Sequence, residues 1–167
     1  MHRIDPRDLT LAPFRKLDQD WALLVSGRER PNPMTVSWGG FGTLWNRPVV
    51  TVYVRRIRHT FTCLEETGEL TLSFLPRDRR AALDLCGKVS GRDEDKWRLA
   101  GLEPEPSETL RVPRVKGAEL ALEGGDVDGR AEGTEVVVLA HAVQANDAAV
   151  EQEAALRIDD EAANAEG

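Results

Sequence analysis

Short apolar or alternating segments, bounded by glycine, proline or asparagine, predict six β-strands along the chain. They cover residues 21–26, 34–38, 49–54, 69–75, 118–123 and 134–140. Alternation is cleanest in the fourth segment, where two leucines and Phe74 share one face and Thr71 and Ser73 share the other. The connection between the second and third segments is too short for the crossover that parallel strands need. The pattern therefore predicts a mainly β fold, a six-stranded antiparallel sheet closed into a barrel, with a few short helices.

Three short helices are predicted between these strands, over residues 61–67, 76–87 and 94–100. Thr62 and Glu65 have the spacing of a capping box at the start of the first helix, and Gly68 suits its left-handed end. Ser90 or Asp93 is expected to cap the third helix.

The predicted strands and helices are assigned to one domain, residues 1–143, because 167 residues is the size of a single domain. Residues 124–129, GGDVDG, predict a flexible connector between the last two strands. From residue 144 to residue 167 the composition changes to Ala, Glu, Asp and Gln. This acidic tail is predicted to be disordered or to form a marginal helix over 148–158.

The chain is acidic, with a formal net charge of −7 and an isoelectric point near 5.1. A nucleic-acid partner requires a basic face, so this charge argues against one. No apolar run approaches the ~20 residues of a membrane span, and the first residues lack the apolar core of a secretory signal. We therefore expect a soluble, cytoplasmic protein with no nucleic-acid or membrane partner.

Cysteine and histidine are sparse and scattered. Cys63 and Cys86 lie outside any CxxC pair and are expected to be reduced, buried thiols. His2, His59 and His141 lack the spacing of a zinc site, so no metal is predicted. The sequence also contains no interpretable nucleophile–base arrangement, and no catalytic side chain is assigned. Such an absence is compatible with a cofactor that carries the chemistry.

A glycine-rich stretch forms the first candidate site. Gly39, Gly40 and Gly42 remove side chains where a flat molecule would lie against the backbone, and Thr35 and Ser37 offer hydroxyls just before them. The spacing of a P-loop or a dinucleotide fingerprint is missing. By themselves, the glycines therefore indicate only a turn.

An arginine cluster follows the third predicted strand. Arg55, Arg56 and Arg58 directly precede a predicted helix start, where guanidinium groups and free N–H groups together bind phosphate well. With the glycine-rich stretch they suggest a cofactor with a flat ring at one end and a phosphate at the other. Alternatively, the arginines only pack over a sheet edge. Trp38 and Trp45 either cover such a ring or fill the core.

The segment 86–97 is a third candidate. Ser90, Gly91 or Lys96 would reach the ligand as a second layer around it. Alternatively, the segment is a capped surface helix in which Asp93 and Lys96 form a routine ion pair. From the residues alone the second interpretation is favoured.

Long motifs around these sites resemble the flavin reductase-like family of FMN-binding split barrels, particularly its flavoredoxin-like branch. The matching segments, in order along about half of the chain, are residues 20–27, 34–55, 58–75, 83–96 and 100–102. The resemblance implies a six-stranded antiparallel split barrel that forms a homodimer and binds FMN non-covalently. It also implies an enzyme, an NAD(P)H-dependent flavin reductase that passes hydride from NADH or NADPH to flavin.

The resemblance further implies three groups of cofactor-binding residues. Four residues would border the flavin ring: Thr35, Val36, Ser37 and Trp38. Holding the phosphate end would be Arg55, Arg58 and Thr60. Three residues would belong to a loop that closes over the flavin: Ser90, Gly91 and Lys96.

The chain departs from the family pattern in two places. The family's usual Arg-Pro-x-Arg-Tyr-Thr is replaced by the residues from Arg55 to Thr60, which keep both arginines and the threonine. After Pro104 the family's aromatic-rich segment and its His-containing stretch before the last strand are missing. His141 lies at the end of the last predicted strand and is not assigned that role. This leaves open whether NADH or NADPH is used, and whether the acceptor is a flavin-dependent monooxygenase or another protein. The alternative function is a flavoredoxin-like electron carrier, or flavin-binding module, without efficient NAD(P)H turnover.

Overall fold

The structure is a computed structural model that describes the backbone of residues 2–132 and 135–147 and the side chains of residues 3–125. Ten strands lie in these ranges: β1 His2–Ile4, β2 Ala22–Ser26, β3 Asn32–Val36, β4 Gly39–Leu44, β5 Arg47–Arg55, β6 Leu70–Phe74, β7 Pro104–Glu105, β8 Arg114–Val115, β9 Leu120–Glu132 and β10 Glu135–Asp147. The α-helices of the same ranges are α1 Pro13–Arg15, α2 His59–Thr67, α3 Arg80–Lys88 and α4 Lys96–Leu99. None of these helices has the length and apolar character needed to cross a membrane.

The main sheet is antiparallel throughout, in the order β3-β2-β6-β9-β10-β5-β4, with β1 paired to β10. The short strands β7 and β8 form a separate pair. The predicted mainly β, antiparallel fold with a few short helices is confirmed. The described pairings form a path from β3 to β4, so closure into a six-stranded split barrel stays a prediction.

Both faces of β6 are buried. Leu70, Leu72 and Phe74 belong to one buried cluster, as the alternation predicts. On the other face, the Thr71 hydroxyl donates to the Pro113 carbonyl, and the Ser73 hydroxyl accepts from the Val115 amide. The polar face is therefore covered by β8 and the residue before it, rather than by solvent.

The glycine-rich stretch is a strand and not a bare turn. Gly39–Leu44 pairs with β5, and the hairpin turns at Trp45 and Asn46, whose φ angles are 50° and 60°. A β-carbon on Gly39 would overlap the Thr51 carbonyl oxygen. The glycine therefore lets the two backbones approach closely.

Helix α2 begins earlier than predicted. Arg58 is its N-cap residue, with no side-chain cap, so the predicted capping box of Thr62 and Glu65 is wrong. The Arg58 amide donates to the Arg55 carbonyl and closes a turn after β5. The helix follows this turn directly and begins at His59. The predicted left-handed end at Gly68 is confirmed by its φ of 61°.

Helix α4 is capped by Asp95, whose carboxylate accepts from the Arg98 amide. The prediction of Ser90 or Asp93 as its cap is therefore wrong. Asp95 directly precedes the first helical residue and so reaches the free amides of the first turn.

The predicted connector GGDVDG is part of strand β9, which pairs with β10 along residues 120–132. The expectation of a flexible link there is wrong, because the glycine backbones of Gly124, Gly125 and Gly129 pair within the ladder. Strand β10 extends to Asp147 and thus beyond the proposed domain boundary at residue 143. The tail from residue 148, including the predicted helix over 148–158, lies outside the described residues.

Candidate functional site

A pocket of about 200 Å³ opens where the ends of β3 and β5 approach the last turn of α3. Its lining residues are Met34, Thr35, Val36, Ser37, Trp38, Tyr53, Arg55, Arg58 and Gly87. The two predicted sites, the ring-binding stretch and the arginine cluster, thus meet in one pocket. Six predicted residues line it: Thr35, Val36, Ser37, Trp38, Arg55 and Arg58.

Strand geometry explains why these residues converge. The Thr35 hydroxyl donates to the Leu83 carbonyl of α3, which ties the middle of β3 to that helix. Tyr53 and Arg55 alternate along β5 with the buried Val52 and Val54, so they share its outer face. Chain order separates β3 from Arg55, but the fold brings them to one opening.

Trp38 and Trp45 do not fill the core. The Trp38 side chain is 61% exposed at the pocket, and Trp45 is 84% exposed at the hairpin tip. Tyr53, beside Trp38 in the pocket lining, is 42% exposed. The pocket therefore has flat aromatic surface at its mouth. Core filling, the alternative for both tryptophans, is wrong.

Thr60 lies behind the pocket wall rather than in the lining. It is buried, its hydroxyl accepts a 2.8 Å hydrogen bond from the Asn32 side chain, and it donates to the Met34 sulfur at 3.2 Å. Because Met34 lines the pocket, Thr60 supports that wall. A direct contact of Thr60 with a phosphate stays a prediction.

Lys96 is buried and connects β3 to α3 through hydrogen bonds. Its ammonium group donates to the Pro33 carbonyl at 2.9 Å and to the Cys86 carbonyl at 3.0 Å. The predicted surface ion pair with Asp93 is therefore replaced by two backbone carbonyls. Burial lowers the pKa of Lys96, and the charge of Arg58 lowers it further.

Ser90 and Gly91 form a tight loop outside the pocket lining. The Ser90 hydroxyl accepts from the Arg92 amide, and a β-carbon on Gly91 would overlap the Asn32 side chain. This loop borders a second cavity, in which Gly91 is a lining residue. The expected loop over a flavin, formed by Ser90, Gly91 and Lys96, is not brought into the first pocket.

Three lining residues were missed by the sequence reasoning: Met34, Tyr53 and Gly87. The sequence pattern could have indicated Tyr53, because it lies two residues before Arg55 in an extended segment. Residues two apart in a strand share one face of the sheet. No such pattern indicates Gly87, since only the packing of α3 against β3 places it there.

The two cysteines are buried free thiols, as predicted. Burial raises the pKa of Cys86 to about 11 and also raises the pKa of Cys63. Both remain neutral thiols near pH 7, so neither supplies a reactive thiolate.

The donor set suits a flat ring carrying an anionic group. Trp38 and Tyr53 offer aromatic faces, and Arg55 and Arg58 place two guanidinium groups at the same opening. A guanidinium group binds phosphate through two parallel N–H···O hydrogen bonds. Exposed aromatic rings stack on flat ligands.

Comparison with known proteins identifies the family. Residues 14–161, well over half of the chain, match the family model described as "Flavin reductase like domain". An uncharacterized protein of Archaeoglobus fulgidus is 28% identical over 101 residues, which is 60% of this chain. The chain spans 56% of the length of that curated relative.

Solved structures share the fold at low identity. Flavoredoxin of Desulfovibrio vulgaris (Miyazaki F) superposes with a TM-score of 0.70 at 23% identity, covering 88% of this chain and 76% of that one. An FMN-binding protein from Thermus thermophilus gives 0.70 at 19%, covering 89% and 82%. The NADH:FAD oxidoreductase of Streptomyces globisporus gives 0.68 at 18%, covering 88% and 87%. The chain belongs to the flavin reductase-like domain family.

Proposed function

We propose that this protein binds FMN in the pocket between β3, β5 and α3 and acts as an NAD(P)H-dependent flavin reductase. The observation that carries the proposal is the meeting of the Thr35–Trp38 segment with Arg55 and Arg58 in one opening. Family membership and the likeness to an FMN-binding protein and an NADH:FAD oxidoreductase support it.

The protein's contribution is position and charge. The backbone and side chains from Thr35 to Trp38 border the ring, and Trp38 and Tyr53 shield the mouth of the pocket. Arg55 and Arg58 hold the phosphate through charge-assisted hydrogen bonds. When bound, the flavin supplies the redox chemistry by accepting hydride from the nicotinamide. No side chain in the pocket is assigned a proton transfer.

A homodimer is part of the proposal. Large apolar side chains on the hairpin and at the pocket mouth are exposed: Trp38, Leu44, Trp45 and Tyr53. Large exposed apolar side chains on one hairpin favour an interaction site there. A second copy that covers this face would also enclose the flavin. The acceptor of the electrons is either a flavin-dependent monooxygenase or another electron-transfer protein.

Purification with added FMN tests the function. We expect a yellow protein whose visible flavin absorbance bleaches on anaerobic addition of NADH or NADPH. A flavin-loaded protein that bleaches with dithionite but with neither nucleotide is the electron carrier instead. A colourless protein that does not bind added FMN would overturn the proposal.

A further inference from the structure

A second cavity, of about 610 Å³, lies between the β2–β3 loop, α2 and the loop after α3. Three arginines reach it from two different loops: Arg28, Arg30 and Arg92. The carboxylates of Glu29 and Glu66 also line it. Its lining therefore combines three positive side chains with two negative ones, in a protein whose net charge is −7.

Arg92 is held in place at this cavity. One of its guanidinium nitrogens donates to the Ile57 carbonyl at 3.0 Å. The preceding Gly91 packs so closely on Asn32 that a β-carbon there would overlap the amide. The remaining guanidinium N–H groups have no protein acceptor within the described part of the chain. They are thus available to a ligand.

Arg28 and Arg30 lie on the exposed β2–β3 loop. Neither side chain forms a hydrogen bond or an ion pair with the residues that the structure describes, although Glu29 lies between them. Their guanidinium groups therefore keep N–H donors for an external anion, which guanidinium groups bind through charge-assisted hydrogen bonds.

Charged side chains around the cavity affect the pKa of His59. Burial lowers the pKa of His59, and the charge of Arg92 lowers it further. Lys96 and Arg30 act in the same direction, against the opposing charge of Glu66. Three cationic side chains thus act on His59 against one carboxylate.

The cavity is next to the proposed flavin pocket but distinct from it. Arg58 lines the pocket, and the following residue, His59, lines the cavity. The two linings share no residue, so the cavity is a separate site.

We propose that this cavity binds the phosphate and ribose part of a nucleotide. The arginines bind phosphate oxygens, and the carboxylates of Glu29 and Glu66 accept hydrogen bonds from ribose hydroxyls, a pairing that dinucleotide sites also use. The nucleotide is either free or the adenylate half of a dinucleotide. The inference does not depend on flavin binding in the first pocket.

Calorimetric titration of the full-length protein tests this proposal, with ADP, adenosine and inorganic pyrophosphate as probes. We expect ADP to bind more tightly than adenosine, which lacks phosphate, and than pyrophosphate, which lacks ribose. The double variant Arg28→Ala/Arg30→Ala is expected to weaken ADP binding about tenfold or more, since two charge-assisted contacts are lost. Added salt is expected to weaken ADP binding to the unmodified protein.

The matched control is Arg15→Ala/Arg98→Ala, which removes the same charge from two exposed arginines outside the cavity. Loss of ADP binding in the control as in the test variant would overturn the proposal, as would failure of the unmodified protein to bind ADP. NADPH that displaces ADP identifies the dinucleotide source, and ADP that NADPH leaves bound identifies a free nucleotide. If ADP binds while FMN does not, the inference stands and the flavin function fails.

Discussion

Single residues at the pocket have roles that follow from what their polar atoms contact. Arg58 lines the opening and donates no side-chain hydrogen bond within the described residues, so its guanidinium group is available to a phosphate. Thr60, only two positions later, is committed to Asn32 and Met34 inside the protein. Neighbours in a matching motif thus divide into a ligand-facing residue and a supporting one.

Arg58→Ala is expected to weaken FMN binding by about 1.5–3 kcal/mol, the scale of a hydrogen bond to a charged group. Fluorescence quenching of FMN during titration measures the affinity. Arg56→Ala is the matched control, because Arg56 is exposed, lies outside the pocket lining and stacks on Phe61 at 5.6 Å. Equal affinity of the Arg58 variant and the unmodified protein would show that Arg58 does not reach the phosphate.

Secondary-structure elements shape the pocket by being held together. The β4–β5 hairpin places Trp38 and Tyr53 at the mouth, and it requires close backbone approach at Gly39. On the opposite wall, Lys96 joins β3 to the end of α3 through two carbonyls. The residues after those carbonyls, Met34 and Gly87, both line the pocket.

Gly39→Ala is expected to destabilise the protein by about 1–3 kcal/mol, because the new methyl group collides with the Thr51 carbonyl. Gly40→Ala is the control, since a β-carbon there meets no atom within 4 Å. Urea denaturation followed by tryptophan fluorescence measures the free energy of unfolding. Equal losses for the two variants would contradict the close approach at Gly39.

Lys96→Met is expected to lower the free energy of unfolding by about 1–3 kcal/mol, because two buried carbonyl acceptors lose their donor. It should also weaken FMN binding, since Met34 and Gly87, which follow those two carbonyls in the chain, line the pocket. Lys88→Met, at the exposed end of α3, is expected to leave both quantities unchanged. Lost FMN affinity with unchanged stability would instead indicate that Lys96 contacts the cofactor directly.

At the scale of the whole molecule, the antiparallel sheet carries an exposed aromatic side chain at the end of one hairpin. Trp45 is 84% exposed at the tip of the β4–β5 hairpin, although tryptophan carries the largest apolar surface of any side chain. Burial of that surface by a second copy would stabilise an assembly.

Trp45→Lys is expected to shift a homodimer toward monomer at a given concentration, because a charge then replaces apolar surface. Analytical ultracentrifugation over a dilution series measures the equilibrium. Leu99→Lys, on α4, serves as the control for a charge added at a different exposed leucine. A sedimentation coefficient that is monomeric for the unmodified protein at every concentration would remove the homodimer from the proposal.

The sequence by itself determined the strands of the first half, the left-handed end of α2 and the antiparallel class of the sheet. These depend on local alternation, on Gly68 and on connection length, which are all properties of neighbouring residues. It also identified six residues of the pocket, because the ring-binding stretch and the arginine cluster are each continuous in the chain.

Only the tertiary structure decided which residues face the ligand and which support them. The burial of Thr60 depends on α2 packing against β3. The burial of Lys96 and the position of Gly87 depend on α3 packing against β3. The exposure of Trp45 depends on its place at the tip of the β4–β5 hairpin. The strand character of the GGDVDG segment depends likewise on its pairing with β10. Long-range contacts overrode local propensity at these positions, and a pattern of neighbouring residues carries no record of such contacts.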